Sequence, residues 1–331
     1  MKSHEILSGR SFPMAKLSVG GQAVIEGVMM RGPKDVATAV RDPNGRIQVE
    51  THPVSSIADR YPILKKPMLR GTVSLVESLV LGLRSLSYSA KMAGDEDEQL
   101  TDKEMAGTII FALVLASILF IAIPTGAAKF FHFITDDPVF LNLMEGFLRL
   151  AIFLAYIGGI SRMKDIRRVF QYHGAEHKTI HCYEAGLPLT VANVQRFSRL
   201  HPRCGTNFLL IVMLVSIFVY AFLGWPSLIE RIVSRILLLP VVAGISYELI
   251  RFAGRTTNPV ALKLIKPGLW LQYLTTRPPQ DDMVEVAIES LKAVLPAEEI
   301  LPGSGHYLTE DAQAAAATEP PASDHVPALE S

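Results

Sequence analysis

Residues 206–223 read TNFLLIVMLVSIFVYAFL, eighteen consecutive positions without one charged side chain. A helix through them would suit lipid on every face, and crossing a bilayer takes about 20 mostly apolar residues. The turn sequence Gly224-Trp225-Pro226-Ser227 follows, and then 229–250, a second apolar window. That window carries Glu230, Arg231 and Arg235 at its start and Glu248 near its end, and the two windows predict a tight helical hairpin. Upstream, 105–123 is apolar apart from small hydroxyl residues and stops at Pro124. Residues 140–160 are apolar apart from Glu145 and Arg149, expected to form a plain i, i+4 ion pair near the outer surface. Four such windows predict a mainly α-helical, multi-pass membrane protein with four transmembrane helices. The chain of 331 residues is 49% hydrophobic with a mean hydropathy of +0.29, high for a soluble protein. The rival, a soluble bundle of buried helices, fits poorly with short connections and low charge in four successive windows.

Loop charge sets the orientation, because Lys and Arg stay on the cytoplasmic side. The loop between the first two windows has Lys129 beside Asp136 and Asp137. The loop after the second opens with Arg162, Lys164, Arg167 and Arg168 and adds Lys178, Arg196, Arg199 and Arg203. Arg251, Arg255, Lys263 and Lys266 follow the fourth. The expected placement is the bacterial inner membrane, with both termini and the 161–205 loop cytoplasmic. No apolar run with a cleavage site follows Met1, so no secretory signal is expected. Thirty-two basic residues balance 32 acidic ones, which excludes a general nucleic-acid binder. The partners implied are the lipid bilayer and a membrane-associated protein or lipid-linked substrate.

The cytoplasmic loop holds the chemistry. Tyr172-His173-Gly174-Ala175-Glu176-His177-Lys178-Thr179-Ile180-His181 places two histidines four residues apart on one helical face, with Glu176 between them and His181 one turn on. His-x-x-Glu-His is the spacing of the inverted zinc peptidases: two imidazoles share a divalent ion and the carboxylate moves a proton. Alone the match is weak. Clustering strengthens it, since His201 and both cysteines, Cys182 and Cys204, fall within about thirty residues of His173. In a reducing cytosol the cysteines read as thiols or ligands rather than a disulfide. The expected set is His173 and His177 with a third ligand from His181, Glu184, His201, Cys204 or Glu248, and Glu176 as general base. Glu184 is a poor partner for His173, about 16 Å away along one helix. A divalent metal, zinc by the chemistry of the donors, is the expected cofactor. The bland alternative is a set of interfacial histidines.

The rest of the chain divides by composition. Residues 1–63 form a cytoplasmic β-containing region. Val36, Thr38 and Val40 alternate, Asp42-Pro43-Asn44-Gly45 is a turn, and Ile47, Val49 and Thr51 resume the alternation. Glycines from Gly20 to Gly32 signal turns or close backbone approach, without the ending of a phosphate loop or the spacing of a dinucleotide fingerprint. Met29 and Met30 read as core. Residues 64–104 comprise an amphipathic helix over 70–92, expected to lie along the membrane face, and an acidic linker. Glu77 and Arg84 argue against that helix as a fifth span. The histidine helix should run 166–185 and end at Gly186, with a helix from Thr190 to Leu200 behind it. Within 251–295, residues 256–276 are expected to return along the membrane surface and 281–295 to form a short amphipathic helix. Residues 296–331 are expected to be a disordered tail.

Several segments together resemble one group. They are 21–31 (GQAVIEGVMMR), the helix from Arg70-Gly71 to Ser89-Ala90, 172–178 (YHGAEHK), 201–206 (HPRCGT) and Thr275-Thr276-Arg277-Pro278. The chain is similar over 17–295 to the YqhQ-like bacterial membrane proteins, a family with a domain of unknown function. That resemblance implies a predicted metal-dependent enzyme, a label resting on the same histidines. The expectation is therefore a metal-dependent hydrolase of an amide or ester with a cytoplasm-facing site. The alternative is a non-catalytic membrane scaffold or assembly factor holding a structural metal. Transport fits less well, because little charge lies within the spans.

Overall fold

The alternation of residues 19–53 builds a four-stranded antiparallel meander. Its strands β1 (Gly20–Val24), β2 (Gly27–Arg31), β3 (Asp35–Arg41) and β4 (Ile47–Pro53) lie in sequence order. The structure is a computed structural model describing residues 17–94, 101–253 and 259–300. The principal helices are α1 (Leu69–Ala93), α2 (Asp102–Ser117), α3 (Pro138–Ile160), α4 (Lys164–Ala185), α5 (Val191–Gln195), α6 (Gly205–Ala221), α7 (Leu228–Ala253), α8 (Pro259–Thr275) and α9 (Asp281–Lys292).

The hairpin expected from the Asp42–Gly45 turn is β3–β4, with Val40 opposite Gln48. The glycine-rich stretch forms a second hairpin, β1–β2, with Gly21 opposite Met30. Successive strand residues point to opposite faces, and here both faces are covered. Val28, Met30, Ala37 and Ala39 pack with Tyr172, Ala175 and Ile180 of α4 and with Met283, Ala287 and Leu291 of α9. Val24, Met29, Val36 and Val40 pack toward Leu81, Tyr88 and Met92 of α1. Three segments far apart in sequence thus cover the sheet, α4 and α9 on one face and α1 on the other.

Helix α1 meets the sheet through its small residues. Gly82, Ser85 and Ser89 are buried, the Thr38 hydroxyl donates to Ser85 Oγ (3.0 Å), and the Ile25 N–H donates to Ser89 Oγ (3.2 Å). Val76, Leu79 and Val80 face outward, exposed.

Among the described residues, three helical rods are long and apolar enough to cross a membrane: Lys103–Phe133, Pro138–Ile160 and Ile229–Phe252. The first runs past Pro124, where a stop was expected. A π-helical turn over Ile118–Ala122 precedes Pro124, which sits in the first turn of Ile123–Ala127, where a missing N–H costs little. Helix α6 is apolar but has 17 residues, about 25 Å of rise against a hydrocarbon core of about 30 Å. Length and composition support three of the expected four spans among the described residues.

Other expectations need revision. The helix after Thr190 ends at Gln195, five residues long. Residues 259–275 form α8, which packs against α6 and buries Gln272. Ala297–Ile300 is helical, and the Tyr183 hydroxyl donates to Glu299, so the tail begins later than 296; its remainder, 301–331, lies outside the described residues. The expected Glu145–Arg149 pair is part of a buried cluster. Glu145 accepts from Thr125 (2.9 Å), Arg149 (2.9 Å) and Arg235, and the Arg231 guanidinium lies 3.7 Å away over the Trp225 ring.

Candidate metal centre

Helix α4 is framed by local rules. Asp165 sits in its first turn, and Gly186 ends it in the left-handed region (φ +74°). Its inner face is buried from Tyr172 to Tyr183 apart from His173 and His181, which are partly exposed. Gly174 lets the segment after α8 approach, since a Cβ there would lie 2.1 Å from the Arg277 carbonyl oxygen. The same approach brings the Thr275 carbonyl to 2.8 Å from His173 Nδ1. His177 Nδ1 lies 2.5 Å from the Arg199 carbonyl. Carbonyls only accept, so both Nδ1 atoms carry the proton and both Nε2 atoms present lone pairs.

Those lone pairs converge. His173 Nε2 is 3.2 Å from Cys204 Sγ, and His177 Nε2 is buried without a hydrogen-bond partner. One donor atom from each of His173, His177 and Cys204 lies within 4.8 Å of the others. Cys204 arrives there as the N-cap of α6, its sulfur accepting from the Thr206 N–H at 3.4 Å. Glu176 Oε2 stands 3.8 Å from both Nε2 atoms. Strand β1 closes over this carboxylate at Gly21, where a Cβ would meet Glu176 Cγ at 2.9 Å, and the Gly21 N–H hydrogen-bonds it.

His181, Glu184 and His201 form a second trio within the same distance limit. Its rings continue from the first, with centroids 5.5 Å apart for His177 and His201 and 4.6 Å for His181 and His201. The second trio is internally satisfied. His181 Nε2–H donates to the Leu200 carbonyl at 2.9 Å. The Arg203 N–H donates to His201 Nδ1 at 3.3 Å, which puts the ring proton on Nε2, facing Glu184 Oε2 at 3.5 Å. The Arg203 guanidinium pairs with Glu184. A cation would have to displace these contacts, whereas the first trio offers lone pairs and an orphaned nitrogen. Its donor chemistry fits a zinc-like ion: two imidazoles, each oriented by a carbonyl, and one sulfur.

Glu248, expected as a possible ligand, joins neither trio. It pairs with Arg70 where α1 crosses α7 and accepts the Met68 N–H at 3.5 Å. A guanidinium already serves both its oxygens, so the carboxylate is occupied in holding the two helices together.

Burial dominates the electrostatics. It pushes the Glu176 carboxyl up to about 8 and the Cys204 thiol up. It holds His177 well below its ordinary value and brings His181 and His201 down to about 4. Around pH 7 these three imidazoles are neutral, the state that binds metal.

Sequence reasoning missed the groups that orient the site. The Thr275 and Arg199 carbonyls fix the ring tautomers, and Gln272 clasps the His201 backbone in both directions (2.8 and 2.7 Å). Backbone acceptors leave no signature in a side-chain pattern. A signal did exist for Gly21 and Thr275, which lie in two of the segments that carry the family resemblance.

A cavity of about 420 Å³ opens onto this constellation, walled by Gly21, Met29, Ser78 and Leu81 and floored by His173, Glu176, His177 and Cys204. A family described as "Protein of unknown function (DUF1385)" matches residues 66–297. The chain belongs to this family. It is also similar to the "Uncharacterized protein YqhQ" of Bacillus subtilis (strain 168), 38% identical over 291 residues that cover 83% of this chain and 92% of that protein. No solved structure matches. Residues 21–31, which supply Gly21, lie outside the family match and inside the structural site.

Proposed function

We propose that this DUF1385 member is a metal-dependent hydrolase of the bacterial inner membrane, cleaving an amide or ester at a site on the cytoplasmic side. The observation that carries the reading is His177 Nε2, a buried lone pair without a donor, facing His173 Nε2 and Cys204 Sγ. A buried acceptor without a donor calls for a partner, and a cation shared with His173 Nε2 and the deprotonated Cys204 Sγ would supply it.

His173, His177 and Cys204 would hold the ion; three protein donors with one position open is the pattern of catalytic rather than structural zinc. Zinc there supplies Lewis acidity toward a substrate carbonyl. The chain's own residues do the rest. The Thr275 and Arg199 carbonyls keep both imidazoles in the ligating tautomer. Glu176 stands on the cavity side of both rings, where its carboxylate takes a proton from the attacking water and returns it to the leaving group. Positive charge beside Glu176 and Cys204 opposes the effect of burial and favours their ionised forms. The sheet and α1 keep bulk water from the carboxylate.

The topology proposed with this reading has α6 as a fourth, short span and both termini cytoplasmic, supported by the basic loop 161–205. The test is metal analysis of protein purified in detergent, beside complementation of a deletion strain. Wild type should carry about one zinc per chain, and His177→Ala should carry none. Glu176→Gln should keep the metal and fail to complement. Full complementation by Glu176→Gln would leave the scaffold with a structural metal as the better reading.

A further inference from the structure

A second cavity of about 740 Å³ adjoins the first and shares with it Ser18, Ser78, Arg203, Cys204 and Gly205. The two therefore meet at a candidate metal ligand, Cys204. The second is walled by α1, the start of α6 and the end of α7, and its apolar lining is Leu75, Phe208, Tyr247 and Ile250. Arg203, which also pairs with Glu184, and Arg251 supply its charge, and no carboxylate is among the residues that line it. Next to these wall residues in sequence, Leu209, Leu249 and Phe252 are exposed apolar side chains on the outside of the same helices.

An apolar chamber with two guanidiniums in its lining has the chemistry of an anionic amphiphile. Phosphate is matched by paired arginine N–H donors, and an alkyl chain by the aromatic and aliphatic wall. A soluble phosphorylated ligand would leave that wall facing water. A helix like α7, apolar enough to span a membrane, puts the chamber beside lipid. We propose that this chamber binds a membrane lipid with a phosphate-bearing head, its head group between Arg203 and Arg251 and its chain along Phe208, Tyr247 and Ile250. A bond near that head then lies at the junction of the cavities, beside Cys204 and the histidines. This rests on the hydrolase reading for the fate of the lipid, but not for its binding. It narrows the substrate from any amide or ester to one carried on an anionic lipid.

The experiment is native mass spectrometry of the full chain released from detergent, with phosphatidylglycerol, phosphatidylcholine or glycerol phosphate added, and zinc counted in the same spectra. Wild type should retain phosphatidylglycerol in preference to phosphatidylcholine and should not retain glycerol phosphate. Arg251→Gln should weaken phosphatidylglycerol retention about tenfold, the size expected for one lost charged hydrogen bond. Phe208→Trp, which fills the chamber without removing charge, should weaken it as well while zinc content stays at the wild-type level. Equal retention of the two lipids, or retention unchanged in both variants, overturns the proposal. Glycerol phosphate bound as well as the lipid overturns it too, in favour of a soluble ligand. Zinc-free wild type that still selects phosphatidylglycerol would sink the hydrolase reading and leave the lipid site standing.

Discussion

Two buried polar clusters face opposite problems in this molecule. Around Glu145 the N–H groups are in excess: one carboxylate is shared by Arg149, Arg231 and Arg235, and two Arg231 nitrogens have no hydrogen-bond acceptor. Around Glu176 an acceptor is left over: two imidazole nitrogens, a thiol and a carboxyl group converge, and His177 Nε2 has no donor. The first cluster ties α3 to α7 and coexists with its own charges. In the second, the proposed cation would supply the partner that His177 Nε2 lacks. Burying ionisable groups is costly in both places, but what completes each differs in sign. A histidine cluster and an arginine cluster of equal burial are therefore different kinds of site.

The largest expected effect breaks the first cluster. Glu145→Ala leaves three guanidiniums without their shared anion and should cost about 3–5 kcal/mol, the usual consequence of removing one partner from a buried charge group. Thermal unfolding in detergent checks it. A change within 1 kcal/mol would mean that the arginines have other acceptors.

Next comes the histidine side. His177→Leu removes the orphaned nitrogen, so zinc content should fall to background, and it also strips the Arg199 carbonyl of its Nδ1–H donor, so the metal-free protein should lose about 1–3 kcal/mol. Metal counting and unfolding of the chelated protein read the two halves separately. Gly21→Ala sharpens the contrast further. Its Cβ would sit 2.7 Å from the Met29 oxygen and 2.9 Å from Glu176 Cγ, so it should cost about 1–3 kcal/mol and displace the carboxylate. Zinc should stay while complementation is lost.

Acidity separates the clusters in the metal-free protein. His181 and His201 sit near 4 when folded and near 6.5 when unfolded. The unfolded chain therefore binds more protons between those values. Stability contributed by the two rings is complete above about pH 6.5 and lost as pH falls toward 4. Glu176 acts in the opposite sense: its raised folded value makes stability fall as pH rises from about 4.5 to about 8. Replacing His201 with Gln should flatten the acid limb of a denaturation-against-pH series. An unchanged limb would show that other groups govern it.

The smallest effect concerns Glu248, which lies outside both trios. Glu248→Gln removes one partner of a partly exposed pair with Arg70, so stability should change by about 0–1 kcal/mol and zinc content not at all. Loss of zinc in that variant would bring Glu248 back into the site.

Hydropathy determined the apolar windows 105–123, 140–160 and 229–250, because a bilayer-length helix needs only local composition to be recognised. Period-two alternation determined β3 and β4, and four-residue spacing put His173 and His177 on one face of a helix that Gly186 ends. Pattern could not determine that α4 and α9 cover one face of the sheet and α1 the other, since contacts between distant segments leave no period. Nor could it separate Cys204 from Glu248 as partners of those histidines. Both lie near a helix end next to the loop. Only the crossing of α1 over α7, which gives Arg70 to Glu248, and the capping of α6 by Cys204 decided between them. The tautomers that make the imidazoles receptive were fixed by the Arg199 and Thr275 carbonyls, backbone groups that every residue has and that only tertiary structure can aim.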